Sequence, residues 1–303
     1  MKTKRLVCLF ALAAFMLVCP NGNALAAAHF TSGGDGYKMA TLPTDGMYYK
    51  MYNIYYTSNT LKDNSGTTVP GGNHNVNNFG QLHRFGYVTG QKILGADWLI
   101  DVAIPLSYTK LSGNMAGTGS SRSGGGLGDV LLSPLLLSWH FENFDMFLSP
   151  AVWLPVGDYD KNDATSSGLG YWGLLPSAAA TIYLDQEKNA NLSFITRFEY
   201  NFTNTHNDTR VGNIIHQEWS LGRTFRDSNI DLALTGAHSW QISDSHGMGA
   251  GDDRRFRKHA IGPEIGYSIP DWKMNLNLRC LFEFESRNTT QGNMFVLSIL
   301  KAF

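Results

Sequence analysis

Long runs of strict two-residue alternation constrain this chain more than any other feature. In "NLSFITRFEYNF", Leu192, Phe194, Phe198, Tyr200 and Phe202 share one face, while Ser193, Arg197, Glu199 and Asn201 share the other. "KMNLNLRCLFEFE" sets Met274, Leu276, Leu278, Cys280, Phe282 and Phe284 against Asn275, Asn277, Arg279, Glu283 and Glu285. "DWLIDVAIPLSYT" repeats the pattern from Trp98 to Thr109. Such alternation marks a strand with one apolar and one polar face. Soluble sandwiches alternate too, but their strands average about 5–6 residues. These runs are about 10–14 residues long, and a tilted strand needs roughly 9–11 to cross a bilayer.

Twelve such segments are expected, at 46–58, 78–91, 96–109, 126–139, 144–156, 170–184, 190–202, 213–225, 230–243, 256–268, 273–285 and 294–303. Pro134 and Pro150 interrupt the fourth and fifth, and proline removes a ladder hydrogen bond. Ten or fourteen strands are therefore open alternatives. Connectors after odd segments are mostly long and polar, such as "TLKDNSGTTVPGGNHNVN" and "SDSHGMGAGDDRR". Those after even segments are tight, such as "DQEKN" and "PDW". Outer-membrane barrels have long external loops and short periplasmic turns. The expected fold is thus all-β, a closed antiparallel transmembrane barrel over 46–303 with both termini periplasmic. On that orientation Trp98, Trp139 and Trp272 fall near the periplasmic rim, Trp153, Trp172 and Trp240 near the outer rim, and Trp219 in mid-strand. Two aromatic girdles are expected where rings meet headgroups. A barrel leaves no strand edge unpaired in lipid, so "GNMFVLSILKAF" is able to end the chain within the wall, against the first strand.

The N-terminus carries Lys2, Lys4 and Arg5, an apolar run from Leu6 to Val18, and small residues up to Ala28. This is the order of a secretory signal peptide over 1–28, with cleavage expected between Ala26 and Ala28. Its removal leaves 21 basic against 25 acidic side chains and Cys280 as the lone cysteine. That balance excludes the basic stripe of a nucleic-acid binder. One cysteine excludes an internal disulfide, and the nine histidines show no metal spacing. No cofactor is expected. Residues 29–45, "HFTSGGDGYKMATLPTD", are polar and glycine-rich and precede the first strand. They are either a loose tail or, as hypothesised here, a partial plug entering the lumen.

On this register Asp101, Arg197, Glu199, His216, Glu218, Lys258, Glu264, Arg279, Glu283 and Glu285 point inward. They form either a ladder of ion pairs that stiffens the barrel or a constriction that selects solutes by charge. The ladder is the simpler reading. A twelve-stranded lumen lies between the filled eight-stranded and open sixteen-stranded cases, so any passage should be narrow. The run Gly124–Gly128 leads into a strand and not a helix N-terminus, which argues against a phosphate-binding loop. His216, Glu218 and Ser220 alternate on one face, but no nucleophile motif surrounds Ser220, so catalysis is not expected. "DDRRFRKH" at 252–259 reads as a solvated or lipopolysaccharide-facing patch.

Three glycine-rich motifs carry a family likeness: Gly126-Leu127-Gly128-Asp129, Leu154-Pro155-Val156-Gly157-Asp158-Tyr159 and Leu169-Gly170-Tyr171-Trp172. With them the chain resembles the outer-membrane transporter family named for the meta-pathway of phenol degradation, over nearly all of 29–303. The resemblance implies uptake of small hydrophobic or aromatic compounds, and it brings no substrate residues. The terminal Phe303 likewise resembles the signature read by outer-membrane assembly machinery. The expected function is a channel or transporter in the outer membrane of a Gram-negative bacterium. The alternatives are an outer-membrane enzyme such as a lipid hydrolase, or a structural, surface-interaction barrel.

Overall fold

A computed structural model describes residues 28–70, 74–113, 115, 120–247 and 253–303. The signal peptide expected over 1–28 lies, apart from Ala28, outside the described residues. The chain forms a closed antiparallel barrel of twelve wall strands. These are β1 (Met47–Lys62), β2 (His74–Ile93) and β3 (Ala96–Gly113), followed by three strands in two pieces each. β4 comprises Ser120–Leu127 and Val130–His140, β5 comprises Phe144–Ser149 and Val152–Leu154, and β6 comprises Gly173–Leu174 and Ser177–Tyr183. β7 (Ala190–Asn201), β8 (Ile214–Phe225), β9 (Ile230–Gln241), β10 (Arg257–Ile269), β11 (Met274–Arg287) and β12 (Thr289–Ala302) complete the wall.

Each strand pairs with its sequence neighbours, and β12 returns to β1 in a register that runs from Tyr48 opposite Ala302 to Lys62 opposite Thr289. The Phe303 N–H donates to Met47 O at 2.9 Å. Closure on this ladder satisfies the backbone groups that an open edge would leave bare in lipid. The alternation then sorts the side chains. Leu192, Phe194, Phe198, Leu278, Phe282, Phe295 and Leu297 are all exposed on the outer face, where lipid would cover them. Their neighbours Ile195, Glu199, Arg279 and Val296 are buried inside.

The wall breaks at one height in three adjacent strands. The breaks fall at Gly128-Asp129, Pro150-Ala151 and Leu175-Pro176. Two of them contain a proline, which cannot donate to the ladder. Pro134 is accommodated differently, by a register shift opposite Leu99 and Asp101 that keeps β4 continuous there. Above its break, β4 pairs with β3 alone. Its other edge is covered by the β5–β6 loop, where the Asp158 N–H donates to Leu127 O at 2.7 Å.

Two expectations need correction. Trp153 is not part of an outer girdle, because it projects into the lumen and is only 5% exposed. Glu285 does not point into the lumen. A bulge opposite Arg257 and His259 inserts one extra residue in β11, and Glu285 takes φ +50. Its side chain is half exposed at the rim and pairs with Arg257 at 2.5 Å.

The inner wall of β1 and β2 shows how tightly the sheet is set. Tyr48 lies over Gly86, its register partner, and donates to Asp101 at 2.6 Å. A Cβ on Gly86 would fall 2.0 Å from the Tyr48 ring. Gly86→Val is therefore expected to destabilise the barrel by about 1–3 kcal/mol through overpacking. Urea unfolding in lipid vesicles, with the unfolding midpoint as readout, checks this.

Candidate functional site

Residues 28–46 thread the lumen from the rim where β1 begins to the height of the wall breaks. Near the bottom, the Tyr37 hydroxyl donates to Asn189 O at 3.0 Å and Lys38 donates to Thr224 at 2.9 Å. Met39 and Ala40 pack among Leu99, Leu136, Phe147 and Ile195, an apolar floor on the inner wall.

Asp35 is the hub at mid-height. Its carboxylate is hydrogen-bonded to the Arg197 guanidinium and lies 4.0 Å from Arg84 Nη1. The Asp35 N–H donates to Glu218 at 3.1 Å, and Arg197 donates to Glu218 at 3.3 Å. Arg84 also donates to Asp101 at 2.7 Å. One turn of chain further, Arg279 is fully enclosed. It donates to Glu264 at 2.9 Å and to the Gly33 carbonyl, while the Tyr37 N–H donates to Glu264 at 3.0 Å. Gly36 has φ +73, and a Cβ there would lie 1.6 Å from Arg279 Nη2. Only glycine lets the segment pass this guanidinium.

The top of the segment meets the wall breaks. The His29 ring is stacked on Trp153, with centroids 5.2 Å apart, and meets Tyr171 edge-on at 4.3 Å. Its Nε2 is 3.1 Å from Asp129 Oδ2. The backbone N–H groups of His29 and Phe30 donate to Glu199 at 2.9 and 3.3 Å. Glu199 also bonds His216 Nε2 at 2.9 Å, and His216 Nδ1 bonds Ser239 at 2.9 Å. Ser32 adds a third contact to this chain, 3.1 Å from His216.

The three glycine-rich motifs converge here. Asp129 accepts from the Gly157 N–H at 3.0 Å and from the Leu169 N–H at 2.8 Å. Asp158 accepts from the Leu127 N–H at 2.8 Å. A Cβ on Gly157 would lie within 2.8 Å of both Asp129 N and Gly168 Cα, so these backbones touch because they lack side chains. Two aspartates thus replace ladder bonds where the strands are broken.

The ten sequence-derived residues divide into three groups. Asp101, Arg197, Glu199, His216, Glu218, Glu264 and Arg279 are buried in the lumen, and each contacts the segment or a side chain that does. Lys258 and Glu283 form a separate pair at 2.9 Å near the outer end, joined by Tyr56. Glu285 sits at the rim. Sequence reasoning missed Arg84, Asp129, Trp153 and the segment's own His29 and Asp35. Asp129 was visible inside a motif. Arg84 was hidden because on its own strand Leu82 and Val88 share its face while the polar Gln81 and His83 lie on the other, which erases the polar contrast.

A family model described as "Putative MetA-pathway of phenol degradation" matches residues 58–299. The chain belongs to this family. None of the curated proteins matches it. Among solved structures it is similar to an outer membrane channel from Pseudomonas putida F1, at 16% identity and TM-score 0.76, covering 88% of this chain and 98% of that one. It is also similar to the β domain of the Bordetella autotransporter BrkA, at 9% identity and TM-score 0.50, covering 86% and 100%. A Pseudomonas aeruginosa FadL homologue matches at 9% identity and TM-score 0.46, over 90% and 99%. At such identities the likeness is one of fold.

Two groups on the segment give its docking opposite pH limits. Burial pulls the His29 imidazole toward neutrality, but Asp129 and Glu199 outweigh it and hold its pKa above the ordinary 6.5. That stabilisation is complete below 6.5 and is lost as pH rises through the raised value. Burial pushes Asp35 up, but Arg197, Lys50 and Arg84 outweigh it and hold its pKa below 3.8. Its contribution is present above 3.8 and is lost as pH falls through the depressed value. Protease cleavage within 28–46 is therefore expected to accelerate on the alkaline side, and His29→Ala should remove that dependence. Asp35→Asn removes one partner of a buried ion pair, which costs about 3–5 kcal/mol. It should expose the segment to protease at neutral pH while the barrel stays folded by heat-modified gel mobility.

Proposed function

We propose that the protein is a channel for small hydrophobic or aromatic molecules in the outer membrane of a Gram-negative bacterium, closed at rest by residues 29–45. One observation carries this reading: the lumen is filled by a single chain segment that enters from one end, not by wall side chains alone. A barrel built only for rigidity has no need of a detachable filling. An apolar band outside, a lumen with an apolar floor and carboxylate-rich upper half, and membership of a phenol-degradation family support the same conclusion. Both termini lie in the periplasm on this reading, after a signal peptide over 1–28 is removed. The outer rim, with "DDRRFRKH", faces lipopolysaccharide, and the strand ending at Phe303 is the one presented to the assembly machinery. The buried ion pairs act as the clamp for the segment, so the ladder reading of the lumen charges is preferred over a selective ring.

One arrangement favours a second reading. Ser239, His216 and Glu199 form a hydrogen-bonded Ser–His–Glu chain, the composition of a hydrolytic triad. However, the Phe30 ring meets His216 edge-on at 5.1 Å and Ser32 bonds the same histidine. The chain therefore serves to hold the segment.

Planar-bilayer recording separates these readings. The mature protein is expected to give few or no conductance steps, and a variant lacking 29–45 should give frequent ones. Lipid hydrolysis by the deletion variant, without conductance, would instead establish the hydrolase. Proteoliposomes carrying the deletion variant should take up phenol faster than those carrying the full chain, with Arg197→Ala falling between.

A further inference from the structure

We propose that the upper lumen contains a slot for one aromatic ring bearing a hydrogen-bond donor, and that His29, backed by the neighbouring Phe30, occupies it as a built-in surrogate ligand. This inference rests on the channel reading and names the solute class that the site would hold.

The slot is defined by what surrounds His29. Trp153 provides a flat face at an interplanar angle of 13°, and Tyr171 provides an edge at 71°. Both are arrangements that ring quadrupoles favour. Gly173 forms the third side. A Cβ there would lie 3.1 Å from Trp153 Cδ1 and 3.4 Å from His29 Nδ1, so a side chain at this position would crowd the Trp153 ring. The His29 side chain is only 2% exposed. Phe30 extends the filling, with Arg197 over its ring at 4.3 Å. The binding contacts run from segment to wall, so a departing segment leaves a formed aromatic cleft behind.

The polar groups that His29 and Phe30 satisfy are acceptors. Asp129 takes the imidazole at Nε2, and Glu199 takes two backbone N–H groups. Both carboxylates belong to the wall and line the cleft when the segment leaves. An incoming ring with an O–H or N–H replaces the lost donor. A plain hydrocarbon strips water from the two charged carboxylates and returns no donor in place of the one lost, although Asp129 keeps its bonds from Gly157 and Leu169 and Glu199 keeps its bond to His216, and polar sites of this kind disfavour such a ligand. An aromatic carboxylate brings a like charge against both. The wall also holds a spare donor, because Trp153 Nε1 is buried without a hydrogen-bond partner among the described residues. A phenolic or anilinic group matches this lining better than toluene or benzoate.

Because the surrogate and the solute compete, the resting protein should bind weakly. Apparent affinity falls by the fraction of molecules with the slot free. Replacing both rings, as His29→Ala with Phe30→Ala, alters only the segment and leaves the wall intact. Calorimetric titration of the mature protein in lipid nanodiscs tests the idea with phenol, aniline, toluene and benzoate. The double variant is expected to bind phenol and aniline saturably, about tenfold or more tightly than the parent. It should bind toluene more weakly and benzoate not at all. Adding Trp153→Leu should abolish saturation, with heat-modified gel mobility reporting that the barrel is folded. Unchanged phenol affinity in the double variant, or equal binding of phenol with toluene or benzoate, would overturn the slot. Phenol uptake by proteoliposomes is read separately. Uptake without saturable binding overturns the slot and leaves the channel standing. Saturable binding without uptake leaves the slot and overturns the channel.

Discussion

Everything in this protein follows from the requirement that a β-sheet in lipid have no free edge. The bilayer interior offers backbone N–H and C=O groups no water, so each must find a partner within the protein. The β1–β12 register meets that requirement from Tyr48 to Lys62. Closure makes an inside and an outside, and the two-residue period then assigns each side chain to one of them. The outer face becomes apolar and the inner face is left to carry whatever the protein needs.

Twelve strands make that inner face hard to fill. The lumen is wider than side chains alone can close, yet narrower than the aqueous bore of a large porin. This protein fills it with a length of its own backbone. A backbone inside a lumen brings unpaired N–H groups with it, and these set the chemistry of the wall. Glu199, Glu218 and Glu264 accept from the N–H groups of His29, Asp35 and Tyr37, respectively. Arg197 and Arg279 balance Glu218 and Glu264, and Glu199 faces His216. Removing any partner from such a network leaves a buried charge uncompensated, at a cost of several kcal/mol. The network therefore holds the segment in one register.

The wall breaks express the same requirement locally. At Pro150 and Pro176 the ladder lacks a donor, and at Gly128 the strand turns aside. Beside the Gly128 break, the carboxylates of Asp129 and Asp158 accept from the Gly157, Leu169 and Leu127 N–H groups, and the Asp158 N–H of the β5–β6 loop donates to Leu127 O. Three motifs far apart in sequence have one job, which is to close this gap. The same place brings Trp153, Tyr171 and Asp129 against His29. Wall repair and ring recognition share residues there.

The fold was legible in the sequence because its determinants are local. Alternation at Leu192–Phe202 and Met274–Glu285, tight even connectors and long odd ones are all read within a dozen residues, and they give the strands, their faces and their order. The inward charges Arg197, Glu199 and Arg279 were legible for the same reason. Local pattern failed where one residue shifts parity, as the bulge does at Glu285, and where the inner face is itself apolar, as around Arg84. It could not show that His29 lies between Trp153 and Asp129 or that Asp35 meets Arg197, because those pairs are separated by 100 residues or more. Such contacts depend on how the closed cylinder brings distant strands to one height. The sequence by itself determined a lipid-facing barrel with a charged interior and a polar leader segment. Only the tertiary structure decided that the leader fills the barrel and which side chains receive it, since only closure creates the enclosed volume in which they meet.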